Sequence, residues 1–167
     1  SAGCSGGSIY SNYRDIAELM IVQTLGFDSM PDGGVTVSVS AEGSSGAGSE
    51  DGSKKPERPS ASAASPTEAQ DELQHYSGGL QLFFGHTAYF ILGADVLNTD
   101  TTQFFDCIER DTAFRLSIPV FAVSSGSASE LILGAGDEER DATKLMHALT
   151  QGLRLRGDMH VYTAAEI

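Results

Sequence analysis

The sequence predicts an α/β (α+β) fold: a mixed sheet of about four strands with an N-terminal β-hairpin and packed helices. Three observations lead there. Val35, Val37 and Val39 alternate with Thr36, Ser38 and Ser40 directly after a turn, the period of a half-buried strand. Short apolar runs at 19–28, 87–92 and 118–123 are separated by stretches with helical spacing. The chain of 167 residues is 40% hydrophobic, which is enough to pack one ordinary domain.

The elements follow in order. Residues 1–13 are a tail of small residues. Residues 19–28 are mostly apolar, as a buried central strand is. In the turn at 29–34, Pro31 sets φ, and Gly33 and Gly34 tolerate positive φ, so the strand at 35–40 closes a hairpin. Residues 41–66 contain no Val, Ile, Leu, Met, Phe or Tyr. Such a tract cannot offset its ordering entropy by burial and reads as a flexible insertion in a domain spanning 14–160. Ser65 or Thr67 can cap a helix carrying Glu68, Ala69, Leu73 and Tyr76, stopped by Gly78 and Gly79. After the strand at 87–92, Thr101 and Thr102 open a helix with Phe104, Phe105, Cys107 and Ile108 at core spacing. A strand at 118–123, a short helix at 127–133 and a longer helix at 137–156 complete the order β-β-insertion-α-β-α-β-α-α. In the last helix Leu145, Leu149 and Leu153 recur every four residues as one apolar stripe. Residues 161–167 read as the start of a following element.

Charge and motifs exclude several functions. Ten Lys+Arg against 23 Asp+Glu give a net charge of −13, so a phosphate backbone is repelled and no nucleic-acid partner is expected. No apolar run reaches the ~20 residues of a membrane-spanning helix. Two cysteines make no disulfide framework, and four scattered histidines do not have the spacing of a metal site. Gly3-Cys4-Ser5-Gly6-Gly7 matches G-x-S-x-G as a string, without the strand and helix that a nucleophile elbow requires. Gly134-Ala135-Gly136 lacks the third glycine of a dinucleotide fingerprint. No catalytic residue, cofactor or metal is expected, and the protein is read as a non-enzyme.

A few residues remain as candidates. His86, beside Phe83 and Phe84, is either a base or ligand, or a histidine bonded to backbone at a strand entrance; the second is expected. Arg110, Asp111 and Arg115 could form a binding or interface site, but an internal ion-pair network at a helix end is the default. Cys107 is expected as a buried thiol. Ala2-Gly3-Cys4 resembles the end of a bacterial lipoprotein signal, in which small residues precede the cysteine that receives the lipid. The Gly/Ser/Asn tail after it suits a tether, and two acyl chains suffice for stable anchoring.

Several segments together resemble one family. Arg14-Asp15-Ile16-Ala17-Glu18-Leu19-Met20-Ile21-Val22 followed by Leu25-Gly26-Phe27-Asp28 is similar to the opening of the Ger(x)C spore-germination lipoproteins, the C subunits of GerA-type nutrient receptors. The resemblance continues at Leu82-Phe83-Phe84-Gly85-His86 and Ile91-Leu92-Gly93. It resumes at Phe104-Phe105, Arg110-Asp111, Arg115 and Gly126-Ser127-Ala128. It implies a lipid anchor at Cys4, a position on the outer face of the inner spore membrane, and membrane-embedded receptor subunits as partners. It also implies nutrient sensing without enzymatic activity, and that this chain corresponds to the N-terminal domain of a longer protein. Two rival readings are a surface lipoprotein that binds a solute or envelope component, and a hydrolase whose site no local motif reveals.

Overall fold

The computed structural model describes residues 19–43, 59–76, 81–134, 141–157 and 160–167. The strands are β1 (Leu19–Ser29), β2 (Val35–Gly43), β3 (Ser60–Ala63), β4 (Gln81–Phe83), β5 (Tyr89–Leu92) and β6 (Val120–Ala122). The helices are α1 (Pro66–Tyr76), α2 (Thr102–Arg110), α3 (Ala128–Leu133) and α4 (Ala142–Arg156), with 3₁₀ turns at Phe84–His86 and Val96–Asn98. The sheet runs β3-β2-β1-β5-β6, and β4 joins the start of β1. β1, β2 and β3 are antiparallel neighbours, whereas β4 and β5 lie parallel to β1 and β6 lies parallel to β5. The mixed class is as expected, with six strands where about four were predicted.

β1 organises the sheet because its eleven residues outlast every partner. On one edge it pairs with β4 through Leu19–Ile21 and then with β5 through Thr24–Phe27, and the 3₁₀ turn at 84–86 spans the gap. On the other edge it pairs with β2, with a register shift between Val22 and Thr24. The extra residue, Gln23, is a β-bulge. It switches the inward set from even to odd numbers, so that Met20, Val22, Leu25 and Phe27 all reach the same core. The hairpin turn closes through Met30 N–H donating to Gly34 O at 2.8 Å, with Gly33 at φ +89°.

Among the described residues each face of the sheet carries two helices. On the first, α1 and α2 cover β1, β2 and β5, with Ala69, Leu73, Phe104 and Ile108 packed on Phe27, Val37, Phe90 and Leu92. Edge-to-face aromatic contacts knit this core, with ring centroids 5.5 Å apart for Phe27–Phe104 and 5.3 Å for Phe90–Phe114. On the second, Tyr89 and Ile91 meet Ala128 and Ile132 of α3 and Ala142 and Met146 of α4. Each fully buried large side chain contributes about 1.5–3 kcal/mol.

The structure revises several expectations. β2 runs on through Gly43 and β3 begins at Ser60, so both ends of the 41–66 tract are built into the sheet; residues 44–58 lie outside the described residues. The Leu145–Leu149 stripe does not form the core face of α4. Ala142, Met146 and Thr150 do, while Leu145 and Leu149 stay 43% and 45% exposed on the flank toward β6. The small Ala142 and the pliant Met146 fit beneath the helix against Tyr89 and Ile91. Residues 161–167 fold back on this same unit: Val120 N–H donates to Tyr162 O at 2.9 Å and Ala164 N–H to Ile118 O at 3.0 Å.

Candidate functional site

Two regions concentrate polar chemistry. The first lies at the C-terminal end of β1, where Asp28 is only 8% exposed. Its carboxylate accepts from the N–H groups of Ala128 at 2.6 Å and Ser129 at 2.8 Å, the first two residues of α3. Ser127 completes a capping box with Glu130. Glycines make the junction possible. A Cβ on Gly26 would press on Ile132 Cδ1 and Ala128 Cβ, and one on Gly93 would overlap Asp28 Oδ1. Gly126, at φ +82°, lets the chain turn into Ser127. Thus Gly26, Asp28, Gly93, Gly126, Ser127 and Ala128 form one structural joint. The carboxylate is committed to backbone amides.

The second region is a groove of about 590 Å³ where the first turns of α4 cross the start of β5, the middle of β1 and the 3₁₀ turn. Ile21, Gln23, His86, Ala88, Tyr89, Asp141, Thr143, Lys144, His147 and Ala148 line it. Asp141 caps α4 by accepting from Thr143 N–H at 2.8 Å. Thr143 Oγ1 meets Thr24 Oγ1 at 2.8 Å, tying α4 to β1. The Tyr89 hydroxyl lies 3.2 Å from His147 Nδ1, and His147 Nε2 lies 3.1 Å from Gln151 Nε2.

The residues singled out from sequence do not converge. His86 lines this groove, but its ring is exposed and rests against Phe83, centroids 5.7 Å apart, instead of bonding backbone at a strand entrance. Asp111 lies at the end of α2 on the first face. It accepts from Gln70 Nε2 at 2.8 Å and Ala113 N–H at 2.9 Å, joining α1 to α2. Arg110 pairs with Asp106 at 2.8 Å in an exposed i,i+4 bridge, and Arg115 is exposed. Two arginines in solvent do not make the internal network that was expected: Arg110 turns back along α2 to Asp106, and Arg115 stands exposed in the chain beyond the helix. Cys107 is buried and its Sγ donates to Gln70 Oε1 at 3.6 Å. Burial pushes its thiol up, Thr67 acts in the opposite direction, and Asp111, Asp106 and Asp71 add to the rise. Cys4 lies outside the described residues.

Tyr89, Lys144 and His147 escaped the sequence reading. Lys144 and His147 are three apart and Gln151 four further on, a helical spacing that marks a polar flank; nothing local joins them to Tyr89. Among the described residues no group of three or more His, Cys, Asp or Glu is placed to hold a metal ion, and no helix is long and apolar enough to cross a membrane.

Both regions fall within the span of one family match. A family model described as the spore germination protein N-terminal domain matches residues 12–158. The chain belongs to this family. Comparison with curated proteins and with solved structures finds no match. Within the germination domain, the motif Leu25-Gly26-Phe27-Asp28 has a structural explanation: glycine admits α3 and aspartate caps it.

Proposed function

We propose that this germination domain belongs to a non-enzymatic, lipid-anchored subunit of a spore nutrient-germinant receptor. Cys4 carries the lipid, the domain sits on the outer face of the inner spore membrane, and membrane-embedded receptor subunits are its partners. The family match over residues 12–158 carries this reading. The Asp28–α3 joint supports it physically: the motif residues are spent on holding a rigid scaffold, as a domain working through its surface requires.

The test is germination of spores lacking the gene, complemented with wild type or with Cys4→Ala. Dipicolinic acid release after nutrient addition should fail in the deletion, return with wild type, and stay impaired with Cys4→Ala. Normal release from the deletion, persisting when paralogous receptors are also deleted, would overturn the receptor reading in favour of a surface lipoprotein of another pathway. Full rescue by Cys4→Ala would remove the lipid anchor.

A further inference from the structure

We propose that Asp32 is a site of spontaneous backbone isomerisation, in which its side chain closes on the Gly33 nitrogen and reopens as isoaspartate. This inference goes beyond the receptor reading and does not depend on it.

The argument begins at the tip of the β1–β2 hairpin. Met30 N–H donates to Gly34 O at 2.8 Å and Gly33 N–H to Met30 O at 3.0 Å, so the chain reverses around Asp32 and Gly33. Both residues are exposed, and Gly33 stands at φ +89°. The Asp32 side chain curls back on its own backbone. Its Oδ1 accepts from Gly34 N–H at 3.1 Å, which folds the carboxylate over the Asp32–Gly33 peptide. The carbon that is attacked is thereby held over the peptide that carries the attacking nitrogen, and the entropy of bringing them together is already spent.

The step balances with water alone. In the protonated carboxyl the Gly33 nitrogen attacks Cγ: the N–Cγ bond forms, the C–OH bond breaks, and the hydroxyl leaves with the amide proton as water. The cyclic imide then takes up one water. Addition at Cγ restores aspartate. Addition at the main-chain carbonyl breaks the original peptide bond, so the backbone runs through Cβ and Cγ and a free α-carboxylate hangs from the turn. Nothing is oxidised or reduced.

The turn removes the usual obstacles. A Cβ built on Gly33 meets no atom within 4 Å, and glycine itself sets no side chain against the closing ring. The Gly33 N–H must leave Met30 O, but the bond from Met30 N–H to Gly34 O closes the turn without it. A cleft of about 360 Å³ lined in part by Asp32, Gly33 and Gly34 opens beside them and admits water. Other aspartates lack this combination. Asp28 is buried and bonded to two amides, and Asp106 is held in α2 against Arg110. Among the described residues Asp32 is the aspartate that precedes a glycine.

The experiment is warm storage of the full chain in neutral buffer, followed by digestion and electron-transfer mass spectrometry, which tells isoaspartate from aspartate. Isoaspartate should build up at residue 32 about tenfold faster than at any other described aspartate, the rate equivalent of one hydrogen bond to a charged group. The same chain held in urea should form it more slowly, because the bond from Gly34 N–H is lost. Asp32→Glu should form none, since its longer side chain closes a less favourable ring; as a change in an exposed turn it leaves the fold intact, which circular dichroism checks. No isoaspartate at residue 32, equal amounts at other described aspartates, or formation in urea at an equal or greater rate would each overturn the assignment.

Discussion

Removing the Asp28 carboxylate should be the most damaging polar substitution in this domain. Two amide N–H groups at the start of α3 have it as acceptor, at 2.6 and 2.8 Å, and Asp28 itself is buried. A buried donor that loses its acceptor costs about 1–3 kcal/mol, and bonds to charged groups lie toward the upper end. Two such donors give about 3–5 kcal/mol for Asp28→Ala, a large share of the ~5–15 kcal/mol that holds a domain together. Asp28→Asn keeps one oxygen and the side-chain shape, so it should lose about 2–3 kcal/mol. At roughly 2–4 °C per kcal/mol, Asp28→Ala should lower the melting temperature by about 6–20 °C. Urea denaturation followed by circular dichroism gives the free energies directly. A loss below about 1 kcal/mol for Asp28→Ala would refute the reasoning, because it would mean that water or Ser127 satisfies the amides equally well. Equal losses for Ala and Asn would also refute it, by placing the effect in packing.

Three further outcomes follow from the same geometry. Gly93→Ala drives a Cβ into Asp28 Oδ1 and should cost about 2–4 kcal/mol; in an Asp28→Ala background the cost should shrink by at least ~1 kcal/mol, as a double-mutant cycle in urea will show. Asp111→Ala should lose about 1–3 kcal/mol with its bonds to Gln70 and Ala113, whereas Arg110→Ala and Arg115→Ala should stay within about 0.5 kcal/mol in the same thermal melts. Cys107, its thiol pushed up by burial, should be alkylated by iodoacetamide at pH 8 far more slowly in the folded protein than in urea, measured on its own peptide by mass spectrometry. Since its folded value is raised, its contribution to stability is complete below the ordinary thiol value of 9.0 and is lost as pH rises through the folded value.

Local patterns were legible and tertiary compensation was not. The valine alternation of β2, the core spacing of α2 and the short helix at 127–133 are written in consecutive residues, and the structure has each of them. β3 was missed because Ser60-Ala61-Ser62-Ala63 has no large apolar residue; it is a strand because β2 offers it an edge, with Thr36 Oγ1 meeting Ser62 Oγ at 2.8 Å. β4 is three residues long and exists only beside β1. The Gln23 bulge hides in the sequence, since both its even and odd neighbours are apolar. Leucine spacing misled for α4, where the sheet surface below selects Ala142 and Met146 instead. Of the groove, only His86 was visible in advance. Thr24 and Thr143 stand 119 positions apart, and no periodicity spans such a distance.

The placement of β3 beside β2 has a practical consequence for altering this protein. Val39 N–H donates to Pro59 O at 2.9 Å and Ser38 pairs with Ser60, so the chain leaves the sheet and rejoins it at one edge. Material added between Gly43 and Pro59 therefore enters between two strands that are already neighbours, and each doubling of a flexible connection costs about 0.6 kcal/mol of closure entropy. Neither helix-bearing face of the sheet has to be reopened. A fluorescent reporter or an affinity tag grafted there should leave the Asp28 joint and the α4 groove intact, giving a handle for following the protein inside a spore while both of its ends stay untouched.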